Sequence, residues 1–286
     1  MNVILAETAG FCFGVERAIS LVYEQIEKAE EGTRIYTYGP IIHNAEVVRD
    51  LEEKGVYSIS GPEDFPKIAG SVLIIRSHGV AREIYEKAEA HGITVVDATC
   101  PFVKKIHRIV DEESRKGHQI VIIGDKDHPE VAGIIGWANG DVTVLKNEEE
   151  AENFSADPKE EICIVSQTTF NLTKFQYIVE IIEKKGYYIN VVNTICNATQ
   201  ARQKEAESVS RAVDIMIVIG DAKSSNTQKL YDICKTYCKD TYYIQTVQDL
   251  KSANLPPGIS VGITAGASTP NNIIQEVLLN VRGKKF

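Results

Sequence analysis

Three cysteines of this chain each follow a short β-branched run and precede a helical pattern, a setting in which thiols can bind metals or act as nucleophiles. They are Cys12, Cys100 and Cys196. The helical patterns that continue from them cover residues 15–26, 102–116 and 197–211. Because the same strand, thiol and helix order recurs three times, we interpret these cysteines as ligands of one metal centre.

The other three cysteines lack this repetition. Cys163 lies inside a predicted strand at residues 162–165, where a thiol usually serves only to pack. Cys234 and Cys238 share one face of a predicted helix, so they are either a metal-binding pair or inert thiols. Since neither has a counterpart elsewhere in the chain, we interpret both as inert.

Composition limits the classes of protein to consider. The chain has 286 residues, which favours about two domains, and a formal net charge of −9, which argues against a nucleic-acid partner. No apolar run approaches the roughly 20 residues that span a bilayer, and Glu7 interrupts any N-terminal signal pattern. Six cysteines without an export signal predict a reducing compartment, the cytoplasm, and no membrane association.

Short β-branched runs alternate with helical patterns along the whole chain. Such alternation predicts an α/β protein with mainly parallel sheets. Strands are expected at residues 34–38, 56–59, 72–75, 94–96, 120–123, 142–145, 162–165, 189–192, 215–219, 242–244 and 260–263. These form groups of four, four and three, and residues 3–5 can supply the missing twelfth strand.

The loops after these strands also repeat. Three strands end at a glycine, and a polar side chain follows four residues later, at His43, His128 and Ser224. A second set lies one helix and strand downstream, at residues 76–79, 166–169 and 265–269. We therefore expect three similar α/β units around a pseudo-threefold axis: residues 13–99, 100–195, and 196–286 completed by 1–12.

All nine marked loops, including those of the cysteines, follow strand carboxyl ends, where open parallel sheets bind ligands. If the units face one another, polar side chains surround the thiols: His43, His78, His128, Thr168, Ser224, Ser225, Asn226 and Ser268. Loop-to-helix turns present free N–H groups to anions, which favours a phosphorylated ligand.

Three thiolates on such an axis would occupy three corners of a [4Fe–4S] cluster and leave the fourth iron open, as in catalytic metal sites. Two alternatives stay open at this point. Three cysteines and a histidine could hold structural zinc, or the chain could be an iron–sulfur sensor or ligand-binding module.

Several polar residues also have purely structural interpretations. His91, His107 and His118 lie outside the repeated loops and are expected to be structural. The segment 224–226 could cap a helix, which uses the same geometry as anion binding. Glu130 could merely complement a helix dipole in its first turn.

Nine motifs resemble the 4-hydroxy-3-methylbut-2-enyl diphosphate reductase family. They lie in order at residues 10–15, 39–44, 77–80, 97–101, 128–133, 166–169, 194–199, 224–227 and 264–270. One departure is Asp127, where the family pattern suggests glycine; it would alter the loop without removing a ligand.

The resemblance implies three α/β domains around a central iron–sulfur cluster bound by Cys12, Cys100 and Cys196. It implies that two electrons and two protons convert an allylic hydroxyl to water, giving isopentenyl and dimethylallyl diphosphates. Glu130 would supply a proton, with Thr168 and His128 beside it. The diphosphate clamp would comprise His43, His78, His128, Ser224, Ser225, Asn226 and Ser268, with Thr168 also near the substrate. Since no nicotinamide motif is present, electrons would come from an external donor such as ferredoxin or flavodoxin.

Overall fold

The computed structural model of the chain describes residues 2–252, 256 and 258–283. The predicted unit 196–286, completed by residues 1–12, therefore includes eight residues that lie outside the described ones: 1, 253–255, 257 and 284–286. The strands are β1 (Asn2–Leu5), β2 (Ile35–Tyr38), β3 (Val56–Ile59), β4 (Val72–Ile75), β5 (Thr94–Asp97), β6 (Gln119–Ile123), β7 (Val142–Leu145), β8 (Ile162–Ser166), β9 (Ile189–Val191), β10 (Ile215–Ile219), β11 (Asp240–Ile244) and β12 (Ser260–Ala265).

The helices alternate with these strands, as the sequence pattern predicts. They are α1 (Phe13–Lys28), α2 (Ala45–Glu53), α3 (Arg82–Ala90), α4 (Pro101–Arg115), α5 (Pro129–Ile135), α6 (Glu148–Asn153), α7 (Leu172–Glu183), α8 (Asn197–Ala212), α9 (Ser225–Tyr237) and α10 (Asn271–Gly283). Short 3₁₀ helices cover Pro62–Lys67 and Val247–Ser252.

The strands form three parallel sheets of four strands with the same connectivity. Their orders are β3-β2-β4-β5, β7-β6-β8-β9 and β11-β10-β12-β1. In the third sheet the fourth strand is the N-terminal one, whose Asn2 pairs with Ser260 of β12. The predicted α/β class with three similar units is therefore confirmed, including the role of residues 3–5 as the missing strand.

The chain divides into two compact units. One contains Met1–Val15, Ile42–Val48 and Asn197–Phe286 and holds the third sheet. The other contains Glu16–Ile41 and Arg49–Cys196 and holds the first two sheets. The predicted boundaries of three separate units and their pseudo-threefold axis stay predictions, although each sheet apart from β1 lies within one predicted range.

The inner strands owe their position to apolar side chains on both faces. All five residues of β10 are buried, as are all five of β8. Continuous apolar runs of this kind are typical of parallel strands covered by helices on both sides. These buried inner strands lead directly into the loops that carry predicted site residues.

Equivalent main-chain hydrogen bonds fix the first loop of each sheet. The glycine after the first strand donates its N–H to the last residue of the neighbouring edge strand: Gly39 to Ile59 at 2.8 Å, Gly124 to Leu145 at 2.9 Å and Gly220 to Ile244 at 2.9 Å. The sequence repeat is thus a repeat of backbone structure. Within the described residues, no helix is long and apolar enough to cross a membrane.

Candidate active site

The three turn cysteines share one main-chain contact. In each case the cysteine N–H donates to the carbonyl of the second residue after the neighbouring strand: Cys100 to Ser77 at 2.9 Å, Cys196 to Thr168 at 3.1 Å and Cys12 to Ala267 at 3.3 Å. These acceptors lie in the second set of repeated loops. Each thiol turn is therefore tied to a loop that carries a predicted substrate-binding residue.

Burial separates the two sets of cysteines. Cys12, Cys100 and Cys196 are partly exposed, whereas Cys163, Cys234 and Cys238 are buried. Burial raises the pKa of Cys163 to about 12 and that of Cys234 to about 11. A metal ion must be able to reach its thiolate ligands, so the partly exposed turn cysteines fit a thiolate-bound metal centre better than the buried cysteines do.

Glu130 is a buried carboxyl group with one dominant partner. It lies in the first turn of α5 with 1% of its surface exposed. Thr168 donates to it twice, from its N–H to Oε1 at 2.6 Å and from its hydroxyl to Oε2 at 2.7 Å. Burial raises the pKa of Glu130 to about 7, against the opposing effect of these two hydrogen bonds. The group can therefore hold a proton near neutral pH.

His128 caps the helix that carries Glu130. Its Nδ1 accepts from the N–H of Glu130 at 3.1 Å, so in the neutral ring the hydrogen is on Nε2. The ring of His78 meets that of His128 edge to face, with centroids 5.3 Å apart. The compact unit that contains the first two sheets thus brings together four of the predicted site residues: His78, His128, Glu130 and Thr168.

Aromatic side chains pack against the loop that carries His78. Trp137 donates from its indole N–H to the carbonyl of Val80 at 2.9 Å, and it stacks on His107 with centroids 5.0 Å apart. Gly79 has φ +70°, and a Cβ there would approach His107 Cε1 within 2.6 Å. Burial lowers the pKa of His107 to about 4, so this ring is neutral. The structural interpretation of His107 agrees with these contacts.

The other compact unit brings together a second group of predicted residues. Ser224 caps α9, accepting from the N–H of Thr227. The hydroxyl of Ser268 donates to the carbonyl of His43 at 3.0 Å and lies 3.4 Å from the hydroxyl of Ser224. Ser225 is the first residue of α9 and is half-buried.

In Asn226 of this group, the amide oxygen has a hydrogen-bond partner among the described residues but the amide nitrogen does not. Its Oδ1 accepts from the N–H of Ala267 at 2.9 Å, which fixes the orientation of the side chain. Its Nδ2 is buried and meets no hydrogen-bond partner among the described residues. A buried donor without a partner costs free energy, so the position is suited to an acceptor from a ligand.

Sequence reasoning missed three residues that hold the cysteine turns. Arg17 of α1 donates to the carbonyls of Asp97 and Thr99, next to Cys100. Arg202 and Glu205 of α8 bond the loop that leads to Cys12. Arg17 follows Cys12 by five residues and Arg202 follows Cys196 by six, but this spacing does not indicate which carbonyls they bond.

Comparison with known proteins identifies the family. A model described as LytB protein matches residues 3–282. The chain belongs to the LytB protein family. A 4-hydroxy-3-methylbut-2-enyl diphosphate reductase of Caldanaerobacter subterraneus subsp. tengcongensis is 47% identical over 285 residues, covering 100% of this chain and 98% of that protein. One from Clostridioides difficile is 44% identical, covering 97% and 98%.

Solved structures give the same result for the LytB fold. The (E)-1-hydroxy-2-methyl-but-2-enyl-4-diphosphate reductase of Plasmodium falciparum matches with a TM-score of 0.89 at 29% identity, covering 97% of this chain and 86% of that one. A second reductase, described as the terminal enzyme of the non-mevalonate pathway, matches with a TM-score of 0.69 at 40% identity, covering 99% and 100%. The resemblance to this reductase family is confirmed, and with it the class of iron–sulfur oxidoreductase.

Proposed function

We propose that this LytB chain reduces 4-hydroxy-3-methylbut-2-enyl diphosphate, with two electrons and two protons, to isopentenyl or dimethylallyl diphosphate and water. The observation that carries the proposal is the buried carboxyl of Glu130, whose pKa near 7 makes it a proton donor at neutral pH. The helix that carries Glu130 follows the carboxyl end of a strand, as the cysteine turns do. Family membership supports the overall reaction.

Cys12, Cys100 and Cys196 are the proposed ligands of a [4Fe–4S] cluster. Their partial exposure and repeated N–H contacts support this choice over the buried thiols. When bound, such a cluster supplies single electrons and a Lewis-acidic iron that has no protein ligand. Three thiolates would also suit zinc, so the donor set fits a metal centre and analysis of the purified protein distinguishes the two.

Glu130 performs the proton chemistry in this proposal. Hydroxide is a poor leaving group, so an acid must protonate the substrate hydroxyl as its C–O bond breaks. The carboxyl of Glu130 gives its proton to that oxygen, which leaves as water. Thr168 holds both carboxyl oxygens, and His128 orients the helix turn that carries them. Burial raises the pKa of Glu130 to about 7, so a large fraction of the carboxyl groups carries a proton at neutral pH.

The diphosphate is held by polar donors at loop ends and at the start of α9. The residues proposed for this are His43, His78, His128, Ser224, Ser225, Asn226 and Ser268, with Thr168 also near the substrate. Asn226 supports the assignment most directly, since its buried Nδ2 lacks a partner among the described residues while its Oδ1 is fixed. Helix N-termini and uncharged donors bind anions without a positive field, as a protein of net charge −9 requires.

Electrons come from an external one-electron carrier in this proposal. The sequence holds no Gly-rich nicotinamide motif, so a ferredoxin or flavodoxin is the expected donor. A reducing compartment such as the cytoplasm would also keep the thiols available for iron.

One experiment tests the proposal. The full chain is purified without oxygen, assayed for iron, sulfide and zinc, and mixed with the allylic diphosphate and reduced methyl viologen. We expect a brown protein with about four irons per chain and formation of both C5 diphosphates. Zinc in a colourless protein would indicate a structural centre, and iron without turnover would indicate a sensor or binding module; either result refutes the proposed function.

A further inference from the structure

Two arginines anchor the loops that carry cysteines distant from them in sequence. Arg17 lies on α1, the helix that follows Cys12, yet its guanidinium donates to the loop of Cys100. Nη1 reaches the carbonyl of Thr99 at 3.2 Å, and Nη2 reaches that of Asp97 at 3.4 Å. These carbonyls lie at the end of β5 and directly before the cysteine.

Arg202 makes the corresponding contact in the other compact unit. It lies on α8, the helix that follows Cys196, and donates to the carbonyl of Gly10, two residues before Cys12. Arg202 is buried, with 5% of its surface exposed. Gly10 has φ +103°, a backbone conformation that favours glycine. The hydrogen bond from Arg202 to its carbonyl helps to maintain this conformation.

Glu205 holds the same loop one helical turn later. Its carboxylate accepts from the N–H of Glu7 at 2.7 Å and from that of Thr8 at 2.9 Å, and also from the Thr8 hydroxyl. Arg202 therefore binds a carbonyl of this loop, and Glu205 binds two N–H groups and a hydroxyl of the same loop.

A guanidinium is suited to this task because its planar fork of donors can serve two carbonyls at once. Loop carbonyls next to a metal-ligating thiol must otherwise bond water, which lets the turn move. Charge-assisted hydrogen bonds are also stronger than neutral ones. The contacts thus restrict the backbone immediately before Cys100 and Cys12.

We infer that Arg17 and Arg202, with Glu205, are positioning residues that hold the turns of Cys100 and Cys12 so that a bound cluster is retained. The inference rests on the proposed ligand set. The inference predicts which cysteine each arginine protects. Arg17 protects Cys100 and not Cys12, which precedes its own helix. Arg202 protects Cys12 and not Cys196.

The test compares thiol reactivity in full-length chain prepared without iron. Iodoacetamide labelling is followed at each cysteine by peptide mass spectrometry. In Arg17→Ala we expect Cys100 to react roughly tenfold faster, and in Arg202→Ala we expect the same for Cys12, since each loses charge-assisted hydrogen bonds. Lys28→Ala and Arg211→Ala remove exposed cations from the same two helices and should change nothing.

The buried thiols report whether a variant unfolds. If Cys163 and Cys234 accelerate as well, Arg17→Lys and Arg202→Lys replace the alanine variants, because they keep the charge with fewer directed donors. They should accelerate only the paired cysteine. In the lysine variants, a uniform change at all six thiols would overturn the inference. In either set of variants, no change at the paired cysteine, or faster reaction of the sequence-adjacent cysteine, would also overturn it.

A second measurement separates this inference from the proposed function. Anaerobic, iron-loaded protein is mixed with the chelator ferrozine, and iron release should be roughly tenfold faster in both alanine variants. If wild-type protein holds iron and the variants release it at the wild-type rate, the positioning role fails alone. If wild-type protein binds no iron, the cluster assignment fails, whereas the labelling result still reports on the anchored loops.

Discussion

Thr168 contacts Glu130 with two donors and Cys196 with its carbonyl. Its N–H and hydroxyl donate to the Glu130 carboxyl at 2.6 and 2.7 Å, and its carbonyl accepts from the N–H of Cys196 at 3.1 Å. One residue therefore links the proposed proton donor to a proposed cluster ligand. A shift of either group would be transmitted to the other through this residue.

Glu130→Gln tests the proton donor. Glutamine keeps the size of the side chain and one hydrogen-bond acceptor but has no acidic proton. We expect iron content and diphosphate affinity near wild type and turnover lowered by roughly 10²–10⁴-fold, the usual range for a general acid. Glu149→Gln, an exposed first-turn carboxylate of α6, is the matched control. Turnover retained after Glu130→Gln would assign the proton to another group.

The pKa of Glu130 predicts the pH profile. The acid is active when protonated, and its pKa is raised to about 7. We expect kcat/KM to be level below pH 7 and to fall about tenfold per unit above it. A profile of kcat/KM against pH, measured with a chemical reductant, checks this. A descending limb near pH 4.5 would contradict the assignment.

Thr168→Val should move the descending limb of the pH profile to higher pH. The hydroxyl of Thr168 stabilises the ionised carboxylate, and its removal raises the pKa of Glu130 further. The N–H contact remains because valine keeps the backbone donor. Thr173→Val, at an exposed position on α7, is the control and should leave the limb in place. An unchanged limb in both variants would show that another acid governs the profile.

Serine substitutions divide the cysteines into two groups. Replacement of Cys12, Cys100 or Cys196 should remove or destabilise the iron, because each deletes one proposed ligand. The same change at Cys163, Cys234 or Cys238 should leave iron bound, since these thiols are buried in the core. Iron and sulfide per chain are the measurement. Equal loss at Cys234 would overturn the ligand assignment.

Alanine substitutions test the diphosphate clamp. His43→Ala, His78→Ala, Ser225→Ala and Asn226→Ala should mainly weaken substrate binding, since each removes a donor to an anion. Isothermal titration with inorganic diphosphate and with substrate measures the effect. His91→Ala removes an exposed histidine that bonds the carbonyl of Lys87 and should not matter. Wild-type affinity in all four variants would place the pocket elsewhere.

Most of the fold was predictable because β-branched runs and helical patterns alternate without ambiguity. The twelve strands lie within two residues of the expected positions, and β1 completes the third sheet as anticipated. The contact of Thr168 with Glu130 was implied by the family resemblance. The anchors Arg17 and Arg202 did not, because a basic residue in a helix is usually solvated and only tertiary contact reveals its carbonyl partners.

The pairing of β1 with β12 has a consequence for biosynthesis. Residues 2–5 are translated before their partners at 260–263. The N–H of Cys12 bonds the carbonyl of Ala267, so this turn cannot acquire its native contact until residue 267 has been translated. A nascent chain stalled before residue 260 would therefore contain all three turn cysteines but would hold β1 unpaired and the Cys12 turn without its native contact.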